Sequence, residues 1–176
     1  RMSRGLGDVY KRQVDIFRDI VAGVSKDVGY MVNYQFGDWQ YMAKTLSAMG
    51  KAPVTAGRKY PMIGLYSPFD EDKSNPSLTS VSLSLIIAVN TLGNYTNEER
   101  LEKSFKATLY PVYDSLIRRI SNDRKFDIGP GAIVSHVKTD NFRYGRAGVY
   151  GEGKSEFDDR IDAIDIKDCL LYTSDA

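Results

Sequence analysis

The amino-acid pattern predicts an α+β domain, with a small antiparallel sheet of about four strands and helices packed on one face. Three observations lead there. Apolar and small polar residues alternate from Val81 to Val89. A capping box at Thr96 opens a long helix with a single apolar stripe, and the predicted strands fall in two sequential pairs around that helix.

From Val14 the residues Phe17, Ile20, Val21, Val24 and Val28 recur at helical spacing, and Gly29 stands where a glycine ends a helix. Asp38 is a predicted N-cap for a second, shorter helix carrying Trp39, Met42, Ala43, Leu46 and Met49 on one side, with Gly50 and Pro53 after it. Residues 60–66 (Tyr-Pro-Met-Ile-Gly-Leu-Tyr) have strand composition, and Pro61 suits only an edge or an entry position. A polar loop is expected from Ser67 to Ser80. Beyond it Val81, Leu83, Leu85, Ile87 and Val89 form one continuous apolar row, with Ser82, Ser84, Ile86 and Ala88 on the other face, which marks the central strand.

Thr96 and Glu99 fit a capping box, in which the threonine oxygen accepts an amide of the first turn and the glutamate reaches back. The helix that follows buries Leu101, Phe105, Leu109, Val112, Leu116 and Ile120, while Glu99/Lys103 and Glu102/Lys106 are favourable pairs four apart. Pro111 predicts a kink, since the stripe continues past it. Two more strands are expected, at 132–137 and 163–168, with a glycine-rich loop from Thr139 to Asp159 between them.

The two ends read as something else. Asp8 to Gln13 back-translate as GATGTGTATAAGAGACAG, and Cys169 to Ala176 as TGTCTCTTATACACATCTGACGC, whose first part is the reverse complement of the former. Such paired ends look like a transposase-based sequencing adapter translated in frame. Residues 1–13 and 169–176 are therefore set aside, leaving 14–168 as one domain that is expected to fold without them.

That exclusion alters the charge. The whole chain has 24 Lys and Arg against 23 Asp and Glu. Residues 1–13 hold Arg1, Arg4, Lys11 and Arg12 with Asp8, and the tail holds Asp175, so the domain itself carries 20 basic and 21 acidic residues. No nucleic-acid footprint is expected from such a balance. The only cysteine, Cys169, falls outside the domain, which leaves it no thiol for a disulfide, a zinc cluster or a nucleophile. The longest aliphatic run, 85–89, is far short of the roughly 20 residues a membrane helix needs.

Chemistry is sparse. A single histidine, His136, speaks against imidazole acid–base catalysis and multi-histidine metal sites, and reads as a strand residue at or near the surface. Asp70-Glu71-Asp72 resembles a cation loop, but Asn75 and Val81 stand where an EF-hand needs glycine and glutamate. Residues 148–155 satisfy the P-loop pattern GxxxxGK[ST] through Gly148, Gly153, Lys154 and Ser155, yet the preceding residues 141–147 lack the apolar strand that the motif requires. Arg143, Tyr144, Arg146 and Tyr150 interleave as a single-strand-binding loop would, though a contact loop explains them as well. Asp158, Asp159 and Asp162 read as a solvated edge.

Three stretches, 60–71, 81–91 and 96–114, with the closing Asp162-Ala-Ile-Asp-Ile166, resemble tailed-phage neck and tail-completion proteins of the tail-terminator kind. The segment 34–56 departs from that pattern. The resemblance implies a small antiparallel sheet flanked by helices and a non-enzymatic virion protein without a cofactor. It also implies assembly in the bacterial cytoplasm into rings, hexameric by the same likeness, that stop tail-tube growth and face the head connector. Partners would be other copies of the chain, the tail-tube protein and the head-connector protein, with no membrane and no specific nucleic acid. On that logic Phe69, Asp70, Glu71, Arg143, Tyr144 and Tyr150 are the candidate contact residues. A truncated P-loop nucleotide-binding protein and a monomeric adaptor domain are the alternatives.

Overall fold

Strand β4 (Leu78–Asn90) organises the molecule, because its alternation gives the sheet two different faces. A computed structural model describes the backbone of residues 6–145 and 159–173, and the side chains of 13–142 and 159–173. Helix α1 (Leu6–Val28) buries Phe17, Ile20, Val21 and Val24 and stops at Gly29, whose φ of 84° lets its N–H reach the Ser25 carbonyl at 3.0 Å. Strand β1 (Asn33–Gly37) follows, then α2 (Trp39–Lys51), capped by Asp38 through a 2.8 Å bond from the Tyr41 amide, and a single turn, α3 (Pro53–Ala56).

Strand β2 (Met62–Tyr66) begins just after Pro61, and β3 (Glu71–Asn75) turns directly into β4. The long helix starts as α4 (Asn97–Arg100), where both halves of the Thr96/Glu99 capping box are present. It passes through a π-helical stretch, Leu101–Leu109, and ends as α5 (Tyr110–Asn122). Pro111 has no N–H to give the preceding turn, and its ring crowds the carbonyl one turn back. The wider turns, with the Tyr110 N–H bonding the Phe105 carbonyl, come immediately before the proline and relieve that crowding. Phe105, Leu109, Val112, Leu116 and Ile120 are all buried, so the stripe holds through the change of pitch.

Strands β5 (Ser135–Gly145) and β6 (Arg160–Thr173) complete a six-stranded sheet in the order β1-β2-β4-β6-β5, with β3 paired to the overhanging start of β4. The α+β class therefore holds, with four corrections. The sheet has six strands, because β1 and β3 form from residues read as irregular: β3 (Glu-Asp-Lys-Ser-Asn) has no strand composition and owes its conformation to pairing with β4. The sheet is mixed, since β1 lies parallel to β2 while every other pair is antiparallel. The strand expected at 132–137 begins at Ser135 and runs on through part of the expected 139–159 loop.

The fourth correction concerns the helices, which cover both faces. On one side α1 and the long helix meet Ile63, Leu65, the odd row of β4, Ile164 and Ile166. On the other, Met42, Ala43 and Leu46 of α2 meet Met62, Ile86, Ala88, Ile161 and Ala163. The even row of β4 is apolar only toward its C-terminal end, and that is the part α2 covers.

Strand β6 changes parity in mid-course. Leu85 pairs with Ile166 but Leu83 pairs with Cys169, so two steps on β4 match three on β6, and Asp168 at the bulge takes φ 52°. Ile164 and Ile166 face the main core before the bulge, and Cys169 and Leu171 face it afterwards. The strand thus runs past the expected end at Asp168. Cys169 and Leu171 are fully buried, which overturns the expectation that no core element uses the residues after 168.

Candidate functional site

The candidate contact residues fall at two opposite ends of the sheet. Phe69 is half-buried against the main core, Asp70 is exposed, and Glu71 pairs in register with Val81 near the start of β4. Tyr144 pairs by its backbone with Ile161, which lies opposite Asn90 at the other end, and Arg143 precedes it on β5. Between Val81 and Asn90 the sheet spans about 30 Å at ~3.3 Å per residue. Tyr150 and the whole of the P-loop match, 148–155, lie outside the described residues. Strand β6 begins at Arg160, five residues beyond Ser155.

The densest polar cluster lies at the Asn90 end, and sequence reasoning took part of it for a solvated edge. Asp162 is fully buried, and Arg100, the largest fully buried side chain, donates to it at 3.0 Å, to the Thr91 hydroxyl at 3.2 Å and to the Leu92 carbonyl at 2.8 Å. The guanidinium thereby ties the first turn of the long helix to β6 and to the connection leaving β4. Asp159 accepts the Tyr60 hydroxyl at 2.7 Å and pairs with Lys59 at 2.5 Å, joining the entry of β2 to the entry of β6. Burial and the neighbouring Asp159 carboxylate push the Tyr60 phenol far up, so it stays a donor.

Gly50, Thr91, Leu92, Gly93 and Arg160 complete an open cleft of about 660 Å³ around these pairs. A Cβ on Gly93 would meet the Arg160 guanidinium at 1.3 Å, so only glycine lets that group lie against the backbone here. The Lys59/Asp159 pair cancels within the cleft and leaves Arg160 as the remaining charged side chain of the lining.

A second cluster runs along the seam between β5 and the long helix. His136, half-buried on β5 as expected, donates from Nδ1 to the Val134 carbonyl at 2.7 Å, and its Nε2 accepts the Tyr113 hydroxyl at 2.5 Å. Burial raises the Tyr113 phenol, which keeps it protonated for that bond. Lys138 lies over the Tyr110 and Tyr113 rings, 4.7 and 5.2 Å from their centroids, and reaches Asp140 at 3.0 Å; Asp140 also accepts the Tyr110 hydroxyl at 2.8 Å. Phe142 stacks on Phe105 at 4.3 Å.

On the helical side, Asp27 accepts both nitrogens of a two-pronged contact from Arg119, each at 2.8 Å, and the Ser115 hydroxyl at 2.7 Å. These bonds, Arg119 first, hold its carboxyl well below the usual range. Gly23 makes the contact geometrically open, since a Cβ there would stand 2.3 Å from the guanidinium. On the sheet's second face, Asp165 is buried with Asn141 bonded to it at 2.5 Å, and desolvation pushes its carboxyl up to about 6.

Among the described residues no three His, Cys, Asp or Glu side chains converge as a metal site, and no helix is long and apolar enough to cross a membrane. The Asp70–Asp72 triplet does not converge either: Asp72 turns back to bond Ser74 at 2.9 and 2.6 Å, while Glu71 is largely buried. No protein-family model matches the chain, and no curated protein matches it in sequence.

Proposed function

We propose that the chain is a structural virion protein of the phage neck, one that assembles as a ring, ends or completes the tail tube and joins it to the head connector. A ring in that position must present one axial face to the tube and a different one to the connector. The observation that carries the reading is the placement of Phe69–Glu71 and Arg143–Tyr144 at opposite ends of a sheet about 30 Å long. Strand ends then supply the axial faces, and strand edges are left for neighbouring copies. The polar joints at Arg100/Asp162 and Lys59/Asp159 suit this role, because the first locks the long helix to β6 and the second locks the entry of β2 to the entry of β6.

The test mixes the chain with its cognate tail-tube protein and measures tube lengths by electron microscopy, beside a nucleotide titration. Capped tubes of uniform length are expected. Unchanged tubes, together with nucleotide binding that Lys154→Ala abolishes, would overturn the structural reading in favour of a P-loop protein.

A further inference from the structure

Both outermost strands of the sheet have an edge on which, among the described residues, no strand pairs. We propose that a second copy of this chain adds there, with β5 of one copy pairing antiparallel to β1 of the next, so that one sheet continues from copy to copy. The inference rests on the ring reading and names its contact.

Direction comes first. Strands β1, β2 and β6 run one way and β4 and β5 the other. If the next copy keeps its long helix on the same side of the sheet, its β1 meets β5 in the antiparallel sense, the stronger of the two pairings.

Length agrees. Strand β1 has five residues. Strand β5 keeps unbroken register from Val137 to Asn141, also five residues, between irregularities on either side.

The side-chain rows agree as well. Toward the long helix β1 shows Tyr34 and Phe36, with the Arg18 guanidinium 5.8 and 5.9 Å from their ring centroids, while β5 shows Lys138 and Asp140. Toward the other face β1 shows Asn33 and Gln35, and β5 shows Thr139 and Asn141. Setting Thr139 against Gln35 places Lys138 against Phe36, Asn141 against Asn33, and Asp140 beside Arg18. Each of these is a favourable cross-strand neighbour: cation with aromatic ring, amide with amide, carboxylate with guanidinium. A slip by one residue would set the charged row against the amides, so odd shifts of register are disfavoured, and the Asp140–Arg18 contact favours this one among the even shifts. Because the two edges differ, each addition leaves the same pair of edges open, and a rotation that closes gives a ring.

The experiment uses the full chain with Gln35→Cys or Thr139→Cys, the native Cys169 being buried, and circular dichroism to confirm that each variant is folded. A short bismaleimide is added to each variant alone and to an equal mixture. A cross-linked dimer is expected in the mixture and lost when either variant is alone. Dimers from Thr139→Cys alone would mean β5 against β5 about a two-fold axis and would overturn the inference. So would oligomers by sedimentation that give no cross-link in any arm, which would leave the ring reading standing. A chain that neither cross-links, sediments as an oligomer nor caps tubes fails the ring reading itself.

Discussion

Adjacent leucines on β6 give the sharpest test of the fold. Leu171 is fully buried in the main core, whereas Leu170 is 36% exposed on the opposite face. Only the bulge at Lys167–Asp168 puts them that way round, since the parity of Ile164 and Ile166 carried straight on would bury Leu170. Leu171→Ala removes buried methyl groups and leaves a cavity, at a cost of ~2–5 kcal/mol. In a domain of this size that is a melting temperature lower by roughly 5–15 °C. Leu170→Ala should stay within about 1 kcal/mol, as a partly exposed site with little to lose. Urea unfolding followed by circular dichroism measures both. A larger loss for Leu170→Ala would refute the bulge and the register after it, and losses under ~0.5 kcal/mol for both would show that the residues after Asp168 are not part of the core.

Leu116→Ala, in the buried stripe of α5, should also cost ~2–5 kcal/mol; a value in the surface range would mean the stripe faces water. Asp162→Ala strands the buried Arg100 guanidinium and should cost ~3–5 kcal/mol, whereas replacing the pair together with Met and Leu should recover most of that, a contrast read from the same unfolding curves. Asp165 has its carboxyl raised to about 6, so the folded state holds the proton longer than the unfolded chain does. Its contribution to stability is greatest below pH 4, declines as pH rises and is gone above about 6. Asp165→Asn should therefore gain on the native chain as pH goes from 4 to 7, by on the order of 3 kcal/mol at most, and a difference independent of pH would count against the burial argument.

Elements with strong local signals were legible. The Gly29 stop, the Asp38 cap, the Thr96/Glu99 box and the alternation of β4 each draw on residues within a few positions of one another, and each is where the sequence puts it. Strands β1 and β3 were not, because a five-residue strand becomes a strand only when its neighbour is present. The start of β5 was read as a strand, but the charged and amide residues from Thr139 onward hid the rest of it as a loop, since an edge strand needs few apolar side chains. A signal for α2 on the second face was available in Ile86 and Ala88, which break the polar row of β4 and demand a cover. The joints at the Asn90 end had no local signal. Arg100 and Asp162 are 62 residues apart and Tyr60 and Asp159 are 99, so their acids looked solvated until the fold brought the partners in. Of the candidate contacts, Phe69 and Glu71 prove substantially buried, which the polar composition around them concealed.

Strand β6 comes last in chain order among the described strands, yet it lies between β4 and β5 and is the only strand β5 pairs with. During folding, helices and the β2/β4 pairing can form from near neighbours, and β5 can join β6 as a hairpin, but that hairpin meets β4 only by closing a loop that includes the whole long helix. Such a contact is entropically late. Substitutions in β5 and β6 should then mainly speed unfolding, while those in β4 and the long helix slow folding, and the interval before β6 docks is when the open side of β4 is exposed to other chains.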